Sequence, residues 1–153
     1  MRLTRPAVAV TLCTTALVAG ALGAPSSAGA ASALHFTASY ANGHMTDVSP
    51  KGESIGDSDV SLFTLRDAKA AVAGVVSTQC VLLRGGKKPL AQCSGDAVLP
   101  GGTIVLGGVT TGTPATTYAI VGGTGAYASA AGTASFLPGT SSIAVTLTLR
   151  SAG

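Results

Sequence analysis

Charged side chains are scarce in this chain, and no part of it is strongly basic or acidic. Asp, Glu, Lys and Arg together make up 10% of the 153 residues. Beyond residue 30 there are seven basic and six acidic residues, so the net charge of that part is +1. Proteins that bind nucleic acids carry clustered cations that neutralise phosphates. We therefore expect no nucleic-acid partner.

The residues of common hydrolytic and metal sites are also few. The chain has two histidines, His35 and His44, and no G-x-S-x-G motif, so a hydrolytic triad is not expected. Asp57 and Asp59 are close in sequence, but they are not accompanied by the ligand spacing of a known metal site. We interpret both as loop or capping residues and expect no metal.

A glycine-rich segment, Gly122–Ala128, contains a G-x-G-x-x-A pattern after a predicted strand. A dinucleotide site would need a helix next and an acidic residue about twenty positions later. Strands follow instead, and no acidic residue occurs after Asp96. We therefore expect no cofactor, and we interpret the glycines as a tight corner against which Tyr127 packs.

The N-terminus has the three parts of a secretory signal. Two arginines precede an apolar run from Ala7 to Ala24, and A-x-A sites follow at Ala28–Ala30 and Ala31–Ala33. Threonines interrupt the run, which disfavours an uncleaved membrane anchor. We predict a signal peptide over residues 1–30 and a single domain over 31–153. The mature protein is expected to be secreted and not attached to a membrane.

The chain has three cysteines, of which Cys13 would leave with the signal peptide. Export favours oxidation, so Cys80 and Cys93 are predicted to form one disulfide. They flank the turn Arg84–Pro89, and a hairpin centred between Gly86 and Lys87 would bring them opposite each other. The alternative is a reactive thiol.

Apolar alternation and turn residues predict strands along the whole mature chain. Every second residue from Ile143 to Leu149 is apolar, which is typical of a half-buried strand. The predicted strands are Leu34–Tyr40, Asp59–Leu65, Val72–Leu83, Leu90–Leu99, Thr103–Thr110, Thr116–Val121, Ala131–Leu137 and Ser142–Arg150. Only Ala41–Gly56 is a long connection. An all-β fold, an eight-stranded antiparallel up-and-down barrel, is favoured because closure removes exposed edges; a sandwich is the main alternative.

Several segments of the chain together form one pattern. In it, a strand that ends in A-I-x-G-G-T/S-G is followed by an aromatic residue, a small residue and another strand. The segments are Thr103–Gly108, Tyr118–Tyr127 and Ala131–Ala134, with a G-D pair in Lys51–Asp57 and a C-V-L stretch in Cys80–Leu83. Together they resemble the allene oxide cyclase and dirigent-protein superfamily. The resemblance implies an eight-stranded barrel with an apolar cavity open at one end, often assembled as a homotrimer. In plants, these cyclases isomerise a fatty-acid epoxide, and dirigent proteins orient phenoxy radicals during coupling.

The cyclase residues that open the epoxide are mostly missing here. Cyclases place a glutamate and an asparagine on or after the first strand. Ala38 stands at the glutamate position, and Asn42 is an approximate match for the asparagine. Cys80 matches a residue near the cyclase pocket but is expected to pair with Cys93. Without the glutamate, no acid is in place to assist the opening of an epoxide by proton transfer, so we assign no catalytic residue.

Three functions stay open. The first is a barrel that binds a small apolar molecule, or templates its reaction, without strong acid–base catalysis. The second is an isomerase or cyclase that uses Asp57 or Tyr40 in place of the glutamate, and the third is a structural or surface-interaction protein with a filled barrel. Tyr40 and Asp57 flank the long connection, so they are the candidate ligand-binding residues. An open cavity favours the first two functions.

Overall fold

Eight antiparallel strands form a closed barrel in the computed structural model, which describes residues 31–112 and 115–150. The predicted signal peptide lies outside these residues. The strands are β1 (Ser32–Thr46), β2 (Ser58–Arg66), β3 (Val72–Arg84), β4 (Leu90–Leu99), β5 (Gly102–Thr110), β6 (Thr116–Gly123), β7 (Ala131–Pro138) and β8 (Ile143–Arg150). Each strand pairs with the next, and β8 pairs with β1. The predicted up-and-down barrel is confirmed, and the sandwich is excluded.

β1 is longer than the sequence pattern predicts. It continues past Tyr40 to Thr46, so part of the predicted connection Ala41–Gly56 is strand. A bulge at Ala41 shifts the register with β2, after which the ladder resumes as far as the Thr46–Ser58 pair. Residues 41–46 are all exposed and carry no apolar alternation, so the pattern gave no sign of a strand.

His44 falls within the predicted connection Ala41–Gly56 and lies instead on this extension of β1, where its side chain is exposed. His35 lies on β1 as predicted, exposed, and its ring nitrogen Nδ1 is 3.2 Å from Thr146 Oγ1 of β8. Both histidines are therefore surface residues of the barrel.

The two ends of the barrel differ. One end, which we call the mouth end, carries the connections 47–57, 85–89 and 139–142. The opposite end, which we call the filled end, carries 67–71, 100–101 and a short 3-10 turn at Gly125–Tyr127.

The apolar core occupies the half of the barrel next to the filled end. Alternate residues of all eight strands point inward there, as the period of two requires. The buried core consists of Ala38, Leu65, Val76, Ala97, Leu99, Ile104, Leu106, Ile120, Ala134, Val145 and Leu147. Burial of this apolar surface stabilises the barrel by about 25 cal/mol per Å² removed from water. The core also gives the mouth half of the barrel a solid floor.

The glycine-rich segment after β6 closes the filled end. The Thr124 amide donates to the Thr103 carbonyl oxygen at 2.8 Å, which ties the segment to β5. A β-carbon added at Gly123 would lie 2.4 Å from the carbonyl oxygens of both Thr103 and Tyr127, so only glycine fits there. The predicted tight corner with Tyr127 packed against it is confirmed.

Candidate functional site

A row of inner-face residues crosses four strands at the mouth end. Met45 pairs with Asp59, Asp59 with Cys80, and Cys80 with Cys93. Leu65 identifies the inner face of β2, because it is fully shielded from solvent. Asp59 is six residues before Leu65, an even spacing along the strand, so both side chains lie on the same face.

These strands and the 47–57 connection line a pocket of about 220 Å³ that is open to solvent, which we call the mouth pocket. Its lining residues are Met45, Glu53, Asp57, Ser58, Asp59, Cys80, Leu82 and Ala91. Most of the surface that they present is apolar. The predicted disulfide between Cys80 and Cys93 is confirmed, and its Cys80 half forms part of the pocket wall.

Carboxylates fix the 47–57 connection as one wall of the mouth pocket. Asp57 Oδ1 accepts a hydrogen bond from the Val48 amide at 2.9 Å, and Asp57 Oδ2 accepts one from the Ser54 amide at 2.8 Å. Glu53 Oε2 accepts from the Gly86 amide at 2.7 Å, which joins the connection to the turn between β3 and β4. Asp57 thus lines the mouth pocket, while both of its oxygens hold the loop.

Asp59 has a different environment. Its Oδ1 accepts a hydrogen bond of 2.8 Å from Ser61 Oγ, and Ser61 is only 8% exposed. Among residues 31–112 and 115–150, nothing donates a hydrogen bond to Asp59 Oδ2 and no cation pairs with it. The sequence interpretation placed Asp59 with the loop or capping residues. The alternation of β2, counted back from Leu65, is the signal that assigns it to the barrel interior.

Tyr40 lies at the rim of the mouth. Its ring makes an edge-to-face contact with Phe63, with the centroids 5.8 Å apart, and the residue is 64% exposed. A β-carbon added at Gly43 would lie 2.7 Å from the Tyr40 hydroxyl and 3.1 Å from Ser61 Oγ. Because Gly43 has no side chain, the Tyr40 and Ser61 hydroxyl groups can both lie close to its α-carbon. Tyr40 is not among the residues that line the mouth pocket, so it and Asp57 occupy separate places.

Tyr118 is the inner-face tyrosine of β6. Its ring contacts Phe136 edge-to-face with the centroids 5.6 Å apart. A β-carbon at Gly108 would lie 2.9 Å from Tyr118 Cδ1, so this glycine makes room for the ring. Burial raises the pKa of the Tyr118 hydroxyl above its ordinary value of 10.0, because desolvation disfavours the phenolate. The hydroxyl therefore stays protonated near neutral pH.

The two positions that match the cyclase residues differ in location. Ala38 is 1% exposed and belongs to the apolar core, so the position of the glutamate is inside the barrel but carries no acid. The Asn42 side chain accepts a hydrogen bond from the Gly43 amide at 2.8 Å and lines a depression on the outer face. Neither residue offers a polar group to the interior.

That outer depression is larger than the mouth pocket, at about 390 Å³. It is lined by Asn42, Gly43, His44, Val60, Ser61, Leu62 and Ser77. Val60 and Leu62 alternate with the inward residues of β2, so the depression lies on the outside of the barrel and is open to solvent. The mouth pocket is the better candidate site, because it is inside the barrel and combines apolar walls with a carboxylate.

The part of the chain that the structure describes offers neither a metal site nor a membrane-spanning helix. Within it, no group of three or more His, Cys, Asp or Glu side chains is arranged to hold a metal ion. Its one short helical turn is far from the length and hydropathy of a membrane-spanning helix.

The comparison with solved structures finds similar barrels, although no protein-family model and no curated protein sequence matches the chain. A pyocyanin demethylase superposes with a TM-score of 0.72 at 22% identity, over 77% of this chain and 99% of that one. The Diels–Alderase AbmU from Streptomyces koyangensis gives 0.69 at 20% identity, over 80% of this chain and 64% of that one. The pterocarpan synthase dirigent protein GePTS1 gives 0.60 at 16% identity, over 79% and 88%.

The TM-scores show that this chain and the three proteins have the same fold, although fewer than a quarter of the aligned residues are identical. The chain therefore shares its barrel fold with a Diels–Alderase and a dirigent protein, and this is the fold that the sequence resemblance implied.

Proposed function

We propose that this protein is an exported barrel that binds a small apolar molecule in the mouth pocket, or templates its reaction, without strong acid–base catalysis. The observation that carries the proposal is the mouth pocket itself. It opens above the apolar core, its walls include Met45, Leu82 and Ala91, and a fixed loop closes one side. Such a site orients a ligand mainly through its shape and apolar contact.

The free energy available from this pocket is modest. A ligand that buries about 150 Å² of apolar surface there gains about 4 kcal/mol, before the loss of its freedom to move is counted. Binding of a small hydrocarbon is therefore expected to be no tighter than the millimolar range. Tighter binding requires polar contacts in addition.

The structural neighbours support a templating role. Their names describe a demethylase, a Diels–Alderase and a dirigent protein, which are all proteins that act on small organic molecules. In this chain, Ala38 supplies no acid, and both oxygens of Asp57 accept backbone hydrogen bonds. Neither of these two positions therefore supplies a group for proton transfer, which favours binding and orientation of a ligand. A structural protein with a filled barrel is disfavoured, because the mouth half contains the pocket.

The test is to fill the mouth pocket and measure binding of a neutral apolar probe. We choose 1-naphthalenemethanol, whose fluorescence reports its transfer out of water. Ala91→Trp places an indole in the pocket and is expected to weaken binding by about tenfold or more. Val60→Trp, which fills the outer depression, is the matched control and should leave the affinity unchanged. Circular dichroism and thermal unfolding establish that both variants are folded.

Two results would overturn the proposal. One is that the wild-type protein, purified from culture medium, does not bind the probe at millimolar concentration. The other is that Val60→Trp abolishes binding while Ala91→Trp does not, which would assign the site to the outer depression.

A further inference from the structure

We infer that Asp59 makes the mouth pocket selective for apolar molecules that carry a protonated amine. The inference rests on the proposed function and adds the chemical class of the ligand. It depends on Asp59 because both oxygens of Asp57 and Oε2 of Glu53 accept hydrogen bonds from backbone amides, and Glu53 is exposed to solvent whereas Asp59 is partly buried.

Asp59 is positioned to contact a bound ligand. It lies on the inner face of β2, between Met45 on β1 and Cys80 on β3, and all three residues line the mouth pocket. The hydrogen bond from Ser61 Oγ occupies Oδ1 and holds the carboxylate in place. Within the described ranges Oδ2 has no donor, so it is free to accept a hydrogen bond from a ligand.

The charges around the pocket favour a cation. None of the residues that line it is basic. The basic residues nearest in sequence to the pocket are Lys51, Arg84, Lys87 and Lys88, and all four are exposed. Lys51 Nζ lies 3.7 Å from Asp47 Oδ2, and Arg84 Nε donates to the Lys88 carbonyl oxygen at 2.9 Å. A charge–charge contact is stronger beside apolar walls than in water, because the effective dielectric constant is lower there. A charge-assisted hydrogen bond to Oδ2 therefore adds to the apolar contact.

The size and surroundings of the pocket favour a small aromatic body. The cavity of about 220 Å³ accommodates a fused pair of rings. Met45, Leu82 and Ala91 line the cavity and offer apolar contact to such a ring system. The expected ligand is thus an aromatic or similarly compact apolar molecule with an ammonium group.

Three probes that share one ring system test the inference: 1-naphthalenemethylamine, 1-naphthalenemethanol and 1-naphthoate, titrated by fluorescence into the folded mature protein. Wild type is expected to bind the amine about tenfold more tightly than the alcohol, and the carboxylate least of all. Asp59→Asn should reduce the preference for the amine to about twofold while leaving the affinity for the alcohol nearly unchanged. Asp59→Glu, which retains the charge, should retain the preference.

Asp96→Asn is the matched control, because Asp96 lies on the outer face of β4 and is exposed; it should behave as wild type. If wild type binds all three probes equally, or if the amine preference survives in Asp59→Asn, the inference is wrong while the binding function stands. If none of the probes binds, the proposed function itself fails. If Asp59→Asn does not fold, the order in which the wild-type protein binds the three probes tests the inference by itself.

Discussion

Cys80 and Cys93 form a disulfide across β3 and β4, with their Cα atoms 4.1 Å apart, at a registered pair on the inner face of the barrel. Cys93 is buried, whereas Cys80 contributes to the wall of the mouth pocket. The bridge therefore connects the stability of the hairpin to the shape of the candidate site.

The disulfide is expected to stabilise the barrel by about 3 kcal/mol, because it restricts the unfolded chain over a short loop. Urea unfolding with and without dithiothreitol measures this difference. The double variant Cys80→Ala/Cys93→Ala is the control, and its stability should not respond to the reductant. Thiol labelling of the denatured, unreduced mature protein should give no adduct. A labelled Cys80 would instead support the reactive-thiol alternative.

Leu147→Ala is expected to lower the free energy of unfolding by about 2–5 kcal/mol, because the truncation leaves a cavity in the core. Leu147 is 0% exposed and lies in the filled half. Leu137→Ala on β7 is the matched control: this leucine is 57% exposed, and its loss should change stability by no more than about 0.5 kcal/mol. Equal effects of the two changes in urea unfolding would contradict the assignment of inner and outer faces.

Alkaline pH should weaken the fold through Tyr118. Its pKa is raised in the folded state by burial, so the folded protein holds this proton more tightly than the unfolded chain. The contribution of this proton to the free energy of unfolding is complete below the pKa of tyrosine in the unfolded chain, about 10. It is lost as the pH rises through the higher pKa of Tyr118 in the folded protein. Tyr118→Phe should therefore lose less stability than wild type above pH 10, as measured by urea unfolding. Identical pH profiles for the two proteins would contradict this origin.

Export is predicted to remove the first 30 residues. The species in culture medium should begin at Ala31, or at Leu34 if the second A-x-A site is used, and intact-mass measurement distinguishes the two. Ala30→Arg should suppress cleavage at the first site, because the position before the cut requires a small residue. A full-length chain retained in the membrane would show that the segment is an anchor.

Little or no epoxide cyclisation is expected. An allene-oxide substrate should turn over no faster with the wild-type protein than without it, because Ala38 provides no acid. Asp57→Asn should lower stability by about 1–3 kcal/mol, since an amide nitrogen would then face a backbone donor that Asp57 now satisfies. Tyr40→Phe alters an exposed side chain, so it should lower stability less than Asp57→Asn does. Enantioselective turnover that either change abolishes would establish a cyclase.

Local features of the sequence determined most of the strands and two of the connections. The alternation from Ile143 to Leu149 predicted β8 to within one residue, because a half-buried strand imposes a period of two. The spacing of Cys80 and Cys93 about the glycine turn predicted their pairing, because a hairpin fixes its own register. The corner at Gly123 was also recognisable, since few other residues tolerate such close backbone approach.

Closure of the sheet and the composition of the pocket were decided by tertiary structure. Alternation is the same in a barrel and a sandwich, so only the pairing of β8 with β1 distinguishes them. The extension of β1 to Thr46 depends on pairing with β2 rather than on its own composition. Asp59 and Asp57 look alike in sequence, yet one carboxylate holds a loop and the other keeps a free oxygen in the mouth pocket. The hydrogen-bond partners are close in sequence in both cases, so the difference does not come from them alone. It arises because pairing of β2 with β1 and β3 turns Asp59 to the inner face beside Met45 and Cys80, which are distant from it in the chain.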